Sequence, residues 1–166
     1  MKKNGGFTLV ELMIVIGIIL ILFGLSWINF ASLPSRATLQ TDSVALINDL
    51  KSQQMLAMTG DTGVGSTQQS DYGIHFESTS YTLFKGGSYT SGAFGNSPPI
   101  ELGNANLSFT DNLPVSANDT IVFKKGSGEI VDYDKWDPTK AIVTITDSLT
   151  GNTKGIKLNK YGATTD

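Results

Sequence analysis

The chain has no cysteine and a single histidine, His75, among its 166 residues. These absences exclude a disulfide scaffold, a thiol nucleophile and Cys-ligated zinc or iron–sulfur centres, and they leave no set of histidines to hold a metal. Charge is scarce as well. Charged residues make up 16% of the chain, 12 Lys plus Arg against 15 Asp plus Glu, for a formal net charge of −3. The broad basic footprint of a nucleic-acid binder is therefore missing, and the low charged fraction suits a chain partly held in a membrane or secreted. There is no G-x-S-x-G, no H-E-x-x-H, no Walker loop and no G-x-G-x-x-G after a strand-like run. His75 stands between Ile74 and Phe76, so strand parity points it toward solvent or the sheet rim, and no triad forms around it. An enzyme is not expected. At 17.7 kDa the length fits one domain with an appended segment, and the chain can bury a core without disulfides.

Hydrophobicity, in contrast, is concentrated at the amino terminus. Phe7 to Ile28 reads FTLVELMIVIGIILILFGLSWI, with one ionisable group, Glu11. As a helix this run would measure roughly 33 Å at ~1.5 Å per residue, enough for a hydrocarbon core of about 30 Å. Lys2 and Lys3 just before it hold the extreme amino terminus on the cytoplasmic side, which places everything after Trp27 outside the cytoplasm, and Trp27 suits the bilayer interface. Pro34 favours a bend or break there. A cleaved secretory signal would need a shorter run and a small-x-small site, which Ser26-Trp27-Ile28-Asn29-Phe30-Ala31-Ser32 does not offer. A plain anchor explains the length but not Glu11, since a carboxylate within an apolar helix costs about 2.5–3.5 kcal/mol on insertion scales.

The stretch Lys2-Lys3-Asn4-Gly5-Gly6-Phe7-Thr8-Leu9-Val10-Glu11 resembles the class III signal of type IV prepilins and type II secretion pseudopilins. The resemblance implies a prepilin peptidase that cuts between Gly6 and Phe7 on the cytoplasmic face and methylates the new amino terminus, Phe7. The apolar run then remains as the anchor. It also implies an assembly role for Glu11, paired with the free amine of a neighbouring subunit, because a buried carboxylate with a partner is far less costly than one without. Loss of Met1 to Gly6 would leave ten basic side chains against 15 acidic ones, a formal −5.

Beyond the anchor, Ser35 to about Thr59 is predicted to form an amphipathic helix. Leu39, Leu46, Ile47, Leu50, Ala57 and Met58 lie along one side, and Asp42, Asn48, Asp49, Lys51 and Gln53 face water. Gly60-Asp61-Thr62-Gly63 stops it. From about Asp71 the pattern turns to short β-prone runs, at residues 73–77, 80–84, 100–102, 107–109, 120–123, 129–132, 141–145 and 155–159. Turns at Lys85-Gly86-Gly87, Lys125-Gly126-Ser127-Gly128 and Thr150-Gly151-Asn152 make them hairpins of an antiparallel sheet, with one face on the helix. Gly63-Val64-Gly65-Ser66 also reads as a turn, and Gly86 to Pro99 as a long surface loop in contact with neighbours.

Residues 46–57, 121–128, 141–147 and 154–162 are similar to the helix and last strands of H-type minor pseudopilins and FimT/FimU-type minor pilins. This implies a minor tip or initiating subunit. The C-terminal cysteine pair of many type IV pilins and the Arg-rich DNA-binding tail of some FimT-like pilins are absent.

Asp132, Asp134 and Asp137 form an oxygen-rich stretch of the kind that holds Ca2+, but without the glycine and closing Glu of an EF-hand, so a solvated acidic loop is the stronger reading and no other cofactor is expected. Lys154, Lys157 and Lys160 do not form one stripe by strand parity, so a nucleic-acid partner is not expected.

The expected organisation is α+β: leader 1–6, transmembrane and assembly helix 7–34, amphipathic continuation 35–60, and β-rich pilin-like head 61–166. The expected function is a structural minor subunit of a type IV pilus or type II secretion pseudopilus. Its partners would be the prepilin peptidase, other pilins or pseudopilins, an inner-membrane assembly platform and the bilayer. It would sit as a single-pass inner-membrane protein with its head outside, then in an extracytoplasmic filament. A tip adhesin or DNA-uptake minor pilin, and an unprocessed membrane-anchored ectodomain, are the alternatives.

Overall fold

A computed structural model of the chain describes residues 6–30, 33–60, 68–111, 113, 119–136 and 142–164. It divides into two compact units, Met1–Pro34 and Ser35–Asp166. The first contains helix α1, Leu9–Phe30. The side chains of α1 are described from Leu9 to Gly24, about 24 Å of helix at ~1.5 Å per residue. Among the described residues, no helix is long and apolar enough to cross a membrane. The backbone continues helically to Phe30, and the side chain of Trp27 lies outside the described residues.

The second unit is α+β. Helix α2, Leu33–Thr59, carries Pro34 in its first turn, where the missing N–H is not needed. Of the expected stop Gly60-Asp61-Thr62-Gly63, the last three residues lie outside the described residues, as does the expected turn at Gly63 to Ser66. Gly60 ends α2 at φ +72°, a left-handed conformation that only glycine adopts without strain. The antiparallel strands are β1 Tyr72–Phe76, β2 Ser80–Lys85, β3 Ile100–Glu101, β4 Leu107–Asp111, β5 Thr120–Phe123, β6 Ile142–Asp147, β7 Thr153–Asn159 and β8 Gly162–Thr164. They form two sheets, β3-β2-β1-β5 and β4-β6-β7-β8, where one had been expected. The long connection from β4 to β5 explains the split: β4 pairs with β6, while β5 returns to β1.

Both sheets close on α2. Leu46, Ile47, Leu50 and Ala57 share one core with Tyr72, Ile74, Phe76, Ile121 and Phe123 of the first sheet and Val143, Ile156 and Leu158 of the second. A smaller cluster joins Leu39 to Leu102, Leu107 and Ile145. Alternation along β6 sends Val143, Ile145 and Asp147 inward, as period-2 patterning requires.

Some expectations are corrected. Gln53 is buried rather than facing water: at three residues from Leu50 and four from Ala57 it falls on the apolar stripe itself. Met58 is 53% exposed, one residue off that stripe. Residues 129–132 form no strand. Ile130 makes one isolated bridge to Phe123, after which Asp132, at φ +59°, leads into a 3-10 turn, Tyr133–Lys135. Strand β8 was not anticipated. Ala141, the expected start of β6, lies outside the described residues.

Polar contacts also fasten the helix to the rest of the unit. Gln54 Nε2 donates to the carbonyls of Tyr161 (2.6 Å) and Gly128 (3.1 Å), gathering two turns at the carboxyl end of α2. The Tyr81 hydroxyl, on a buried side chain, donates to Asp49 Oδ2 at 2.6 Å. Burial first, and then the Asp49 carboxylate, push the Tyr81 phenol well above its ordinary value. An unfolded tyrosine ionises near pH 10, so the folded chain keeps a proton there that the unfolded chain gives up. The Tyr81 contribution is thus whole below about pH 10 and is lost as pH rises from there toward the folded value, at about 1.4 kcal/mol per pH unit. Denaturation of the full chain in detergent at several alkaline pH values should show this slope, and Tyr81→Phe should lack it.

The Gly86 to Pro99 loop is pinned to β2: Ser97 N–H donates to the Leu83 carbonyl (2.8 Å) and Ser97 Oγ accepts from Leu83 N–H (3.0 Å). Its Tyr89 stacks on His75 at 3.9 Å between centroids and meets Phe84 edge-on at 5.6 Å. The loop therefore covers the sheet face turned away from α2, so His75 lies beneath Tyr89, half-buried, with Nδ1 3.2 Å from Thr120 Oγ1.

Candidate functional site

Residues 6–8 precede α1 without helical structure. Gly6 is exposed and Phe7 is 88% exposed. The Gly6–Phe7 peptide bond is thus an accessible, non-helical one, the form in which a peptidase reads a substrate backbone.

Two residues later the chain makes a reciprocal cap. The Thr8 carbonyl accepts the Leu12 N–H at 3.2 Å. The Thr8 N–H and hydroxyl both donate to Glu11 Oε2 at 2.9 Å, and the Glu11 N–H donates to Thr8 Oγ1 at 3.3 Å. This is a capping box: a threonine at the helix start and a glutamate three residues on satisfy each other's orphan donors. The positive end of the helix dipole adds to the carboxylate's stabilisation. Among the described residues, the other Glu11 oxygen takes no hydrogen bond. Glu11 therefore has one oxygen held by the Thr8 N–H and hydroxyl of its own chain.

Sequence reasoning singled out Glu11 and missed Thr8 as its partner. The signal was there, because T-x-x-E before an apolar run is itself a capping-box signature. Lys2 and Lys3 lie outside the described residues.

The acidic stretch is organised by lysines. Lys160 Nζ lies 3.6 Å from Asp134 and 3.7 Å from Glu129, and Lys135 lies 2.8 Å from Asp132. Asp134 first, and then Glu129, hold the Lys160 ammonium above its usual range. Tyr133 joins the assembly by donating its hydroxyl to the Leu158 carbonyl at 3.0 Å. The open groove here, about 420 Å³, is lined by side chains of both signs, including Asp71 and Lys124. Asp132 and Asp134 thus each have a lysine partner, and Asp137 lies outside the described residues. Among the described residues no group of three His, Cys, Asp or Glu is placed to hold a metal ion. Lys154 and Lys157 are exposed on β7 while Lys160 is drawn into its ion pairs, so the three lysines form no common surface.

No curated protein and no solved structure matches the chain. Residues 1–27 match the family model described as the prokaryotic N-terminal methylation motif. The segment that holds Gly6, Phe7 and the Thr8–Glu11 box is thus the amino-terminal signal of type IV pilins and pseudopilins.

Proposed function

We propose that the chain is a non-enzymatic minor subunit of a type IV pilus or type II secretion pseudopilus, cut between Gly6 and Phe7 and methylated at Phe7. The observation that carries this reading is the methylation motif over residues 1–27, with Glu11 held at the helix start by Thr8. Helix α1, 22 residues long, is the anchor: at ~1.5 Å per residue its backbone runs roughly 33 Å, and residues 25–28 are Leu-Ser-Trp-Ile. The subunit waits in the inner membrane with its head outside, then enters a filament through an assembly platform. There the second Glu11 oxygen takes the amine of a neighbouring subunit. The minor-subunit assignment is supported by the likeness of residues 46–57, 121–128, 141–147 and 154–162 to minor pseudopilins and minor pilins. No cofactor enters this reading.

Intact mass and the amino-terminal peptide of protein recovered from cells with the native prepilin peptidase test it directly. The expected product begins at Phe7 and carries one added methyl group. A product that keeps Met1 to Gly6 makes the chain an anchored ectodomain, and a cut near Ala31 makes it a secreted protein.

A further inference from the structure

Two asparagines of the chain stand in an N-x-S/T sequence, Asn106-Leu107-Ser108 and Asn118-Asp119-Thr120. This is the acceptor pattern for a sugar on the side-chain nitrogen in chains that leave the cytoplasm. The pattern is short enough to arise by chance, and what separates the two is where the fold puts them.

In the second, folding withdraws the hydroxyl. Thr120 pairs with His75 of β1 and is 8% exposed, and its Oγ1 lies 3.2 Å from His75 Nδ1. Asn118 lies outside the described residues. The first acceptor is arranged the other way. Asn106 is exposed and ends the turn just ahead of β4. Its backbone is held from both sides: the N–H donates to Asn104 Oδ1 at 3.0 Å, and the carbonyl accepts the Ser148 N–H at 2.9 Å and the Ser148 hydroxyl at 3.0 Å. Leu107 then enters the small core cluster with Leu39 and Ile145. Strand parity sends Ser108 to the opposite side from Leu107 and Phe109, half-buried on the outer face of the second sheet and opposite Thr146. Among the described residues, neither the Asn106 carboxamide nor the Ser108 hydroxyl takes a hydrogen bond. Folding thus fixes the backbone of this acceptor and leaves both of its defining groups at the surface.

We propose that Asn106 is an N-glycosylation site, modified by an oligosaccharide carried on a polyprenyl diphosphate lipid. The inference rests on the proposed place of the head outside the cytoplasm, where such a carrier in the membrane delivers its sugar. In the transfer, Asn106 Nδ2 bonds to the anomeric carbon of the first sugar. The bond from that carbon to the diphosphate oxygen breaks, the lipid diphosphate leaves with the electron pair, and one Nδ2 proton passes to a base of the transferase. No oxidant or reductant enters. The Ser108 hydroxyl is the group by which a transferase tells this asparagine from the eight that lack a hydroxyl two residues on. Because Ser148 ties its turn to Asn106, the sugar stands beside Leu149, which is 70% exposed, and shields an apolar side chain that the fold leaves in water.

The test is the intact mass of full-length chains recovered from the membranes of the cells that naturally make them, with fragmentation of the peptide that holds Asn106. The mass should exceed that of the processed chain by a whole number of sugar residues, all on Asn106. That shift should be lost entirely in Asn106→Gln and Ser108→Ala, and kept in Ser108→Thr and Asn118→Gln. The Ser108 pair guards against misfolding, since both variants change the same exposed-face position and only one keeps the hydroxyl. A chain that begins at Phe7 and carries no sugar overturns the site and leaves the pilin reading standing. A chain with sugar on Asn106 that keeps Met1 to Gly6 does the reverse. Sugar that survives Asn106→Gln or Ser108→Ala, or that sits on Asn118 instead, overturns the proposal.

Discussion

Chains carrying Glu11→Ala should be processed between Gly6 and Phe7 as in wild type, accumulate in the membrane, and be absent from sheared filaments. The side chain lies five residues beyond the scissile bond, so its loss leaves the cleaved peptide intact. What it removes is the carboxylate. In an apolar helix that group is costly unless partnered, and truncating one member of a buried charge pair costs about 2–5 kcal/mol, roughly thirtyfold to several thousandfold in occupancy. Alanine also removes half of the Thr8–Glu11 box, worth about 0.5–2 kcal/mol at the first turn. Glu11→Gln separates the two effects, because a glutamine serves the box but carries no charge. Quantitative blotting of sheared filaments and membranes decides the matter. If Glu11→Gln enters filaments at the wild-type level, Glu11 is a cap and not a charge partner.

The second large effect is expected in the head. Gly73 on β1 stands opposite Phe84 and Val122, and a Cβ placed on it would lie 2.5 Å from Phe84 Cζ and 2.5 Å from the Ile121 carbonyl oxygen. Neither neighbour yields easily. Phe84 is 2% exposed beneath Tyr89, and the Ile121 carbonyl belongs to the backbone of β5. Overpacking of this kind costs about 1–3 kcal/mol when side chains relax and more when backbone must shift. Gly73→Ala is therefore expected to destabilise the head by about 3 kcal/mol, read as a lowered denaturation midpoint of the full chain in detergent. Adding Phe84→Ala should recover part of the loss, a positive coupling between contacting residues. A Gly73→Ala chain that unfolds at the wild-type midpoint would show that this close approach does not exist.

The fold class was legible because its patterning is local. The stripe of Leu39, Leu46, Leu50 and Ala57 and the alternation of Tyr72, Ile74 and Phe76 state their own periods. The partition into two sheets was not legible: it depends on which strand β5 joins, a non-local choice that nothing in Thr120–Phe123 announces. Gln53 is polar by type but stands on the apolar stripe by helical spacing, and spacing decides its burial. Residues 129–132 look like a strand in isolation, yet Asp132 takes a left-handed backbone and the 3-10 turn after it carries Asp134 to Lys160, a pairing 26 residues apart. In the candidate site, Glu11 stood out because an acid in an apolar run is anomalous. Thr8 is ordinary by itself and becomes informative only with its partner three residues on.

The Gln54 clamp has one more consequence. It gathers the turn at Gly128 and the turn at Tyr161 onto α2 with two hydrogen bonds from one neutral amide, in a chain without cysteine. Closure of the carboxyl-terminal end of the head therefore needs no oxidant and no isomerase. It is indifferent to the thiol balance of any compartment the chain passes through, and it reopens and reseals on the timescale of hydrogen bonds rather than that of covalent exchange.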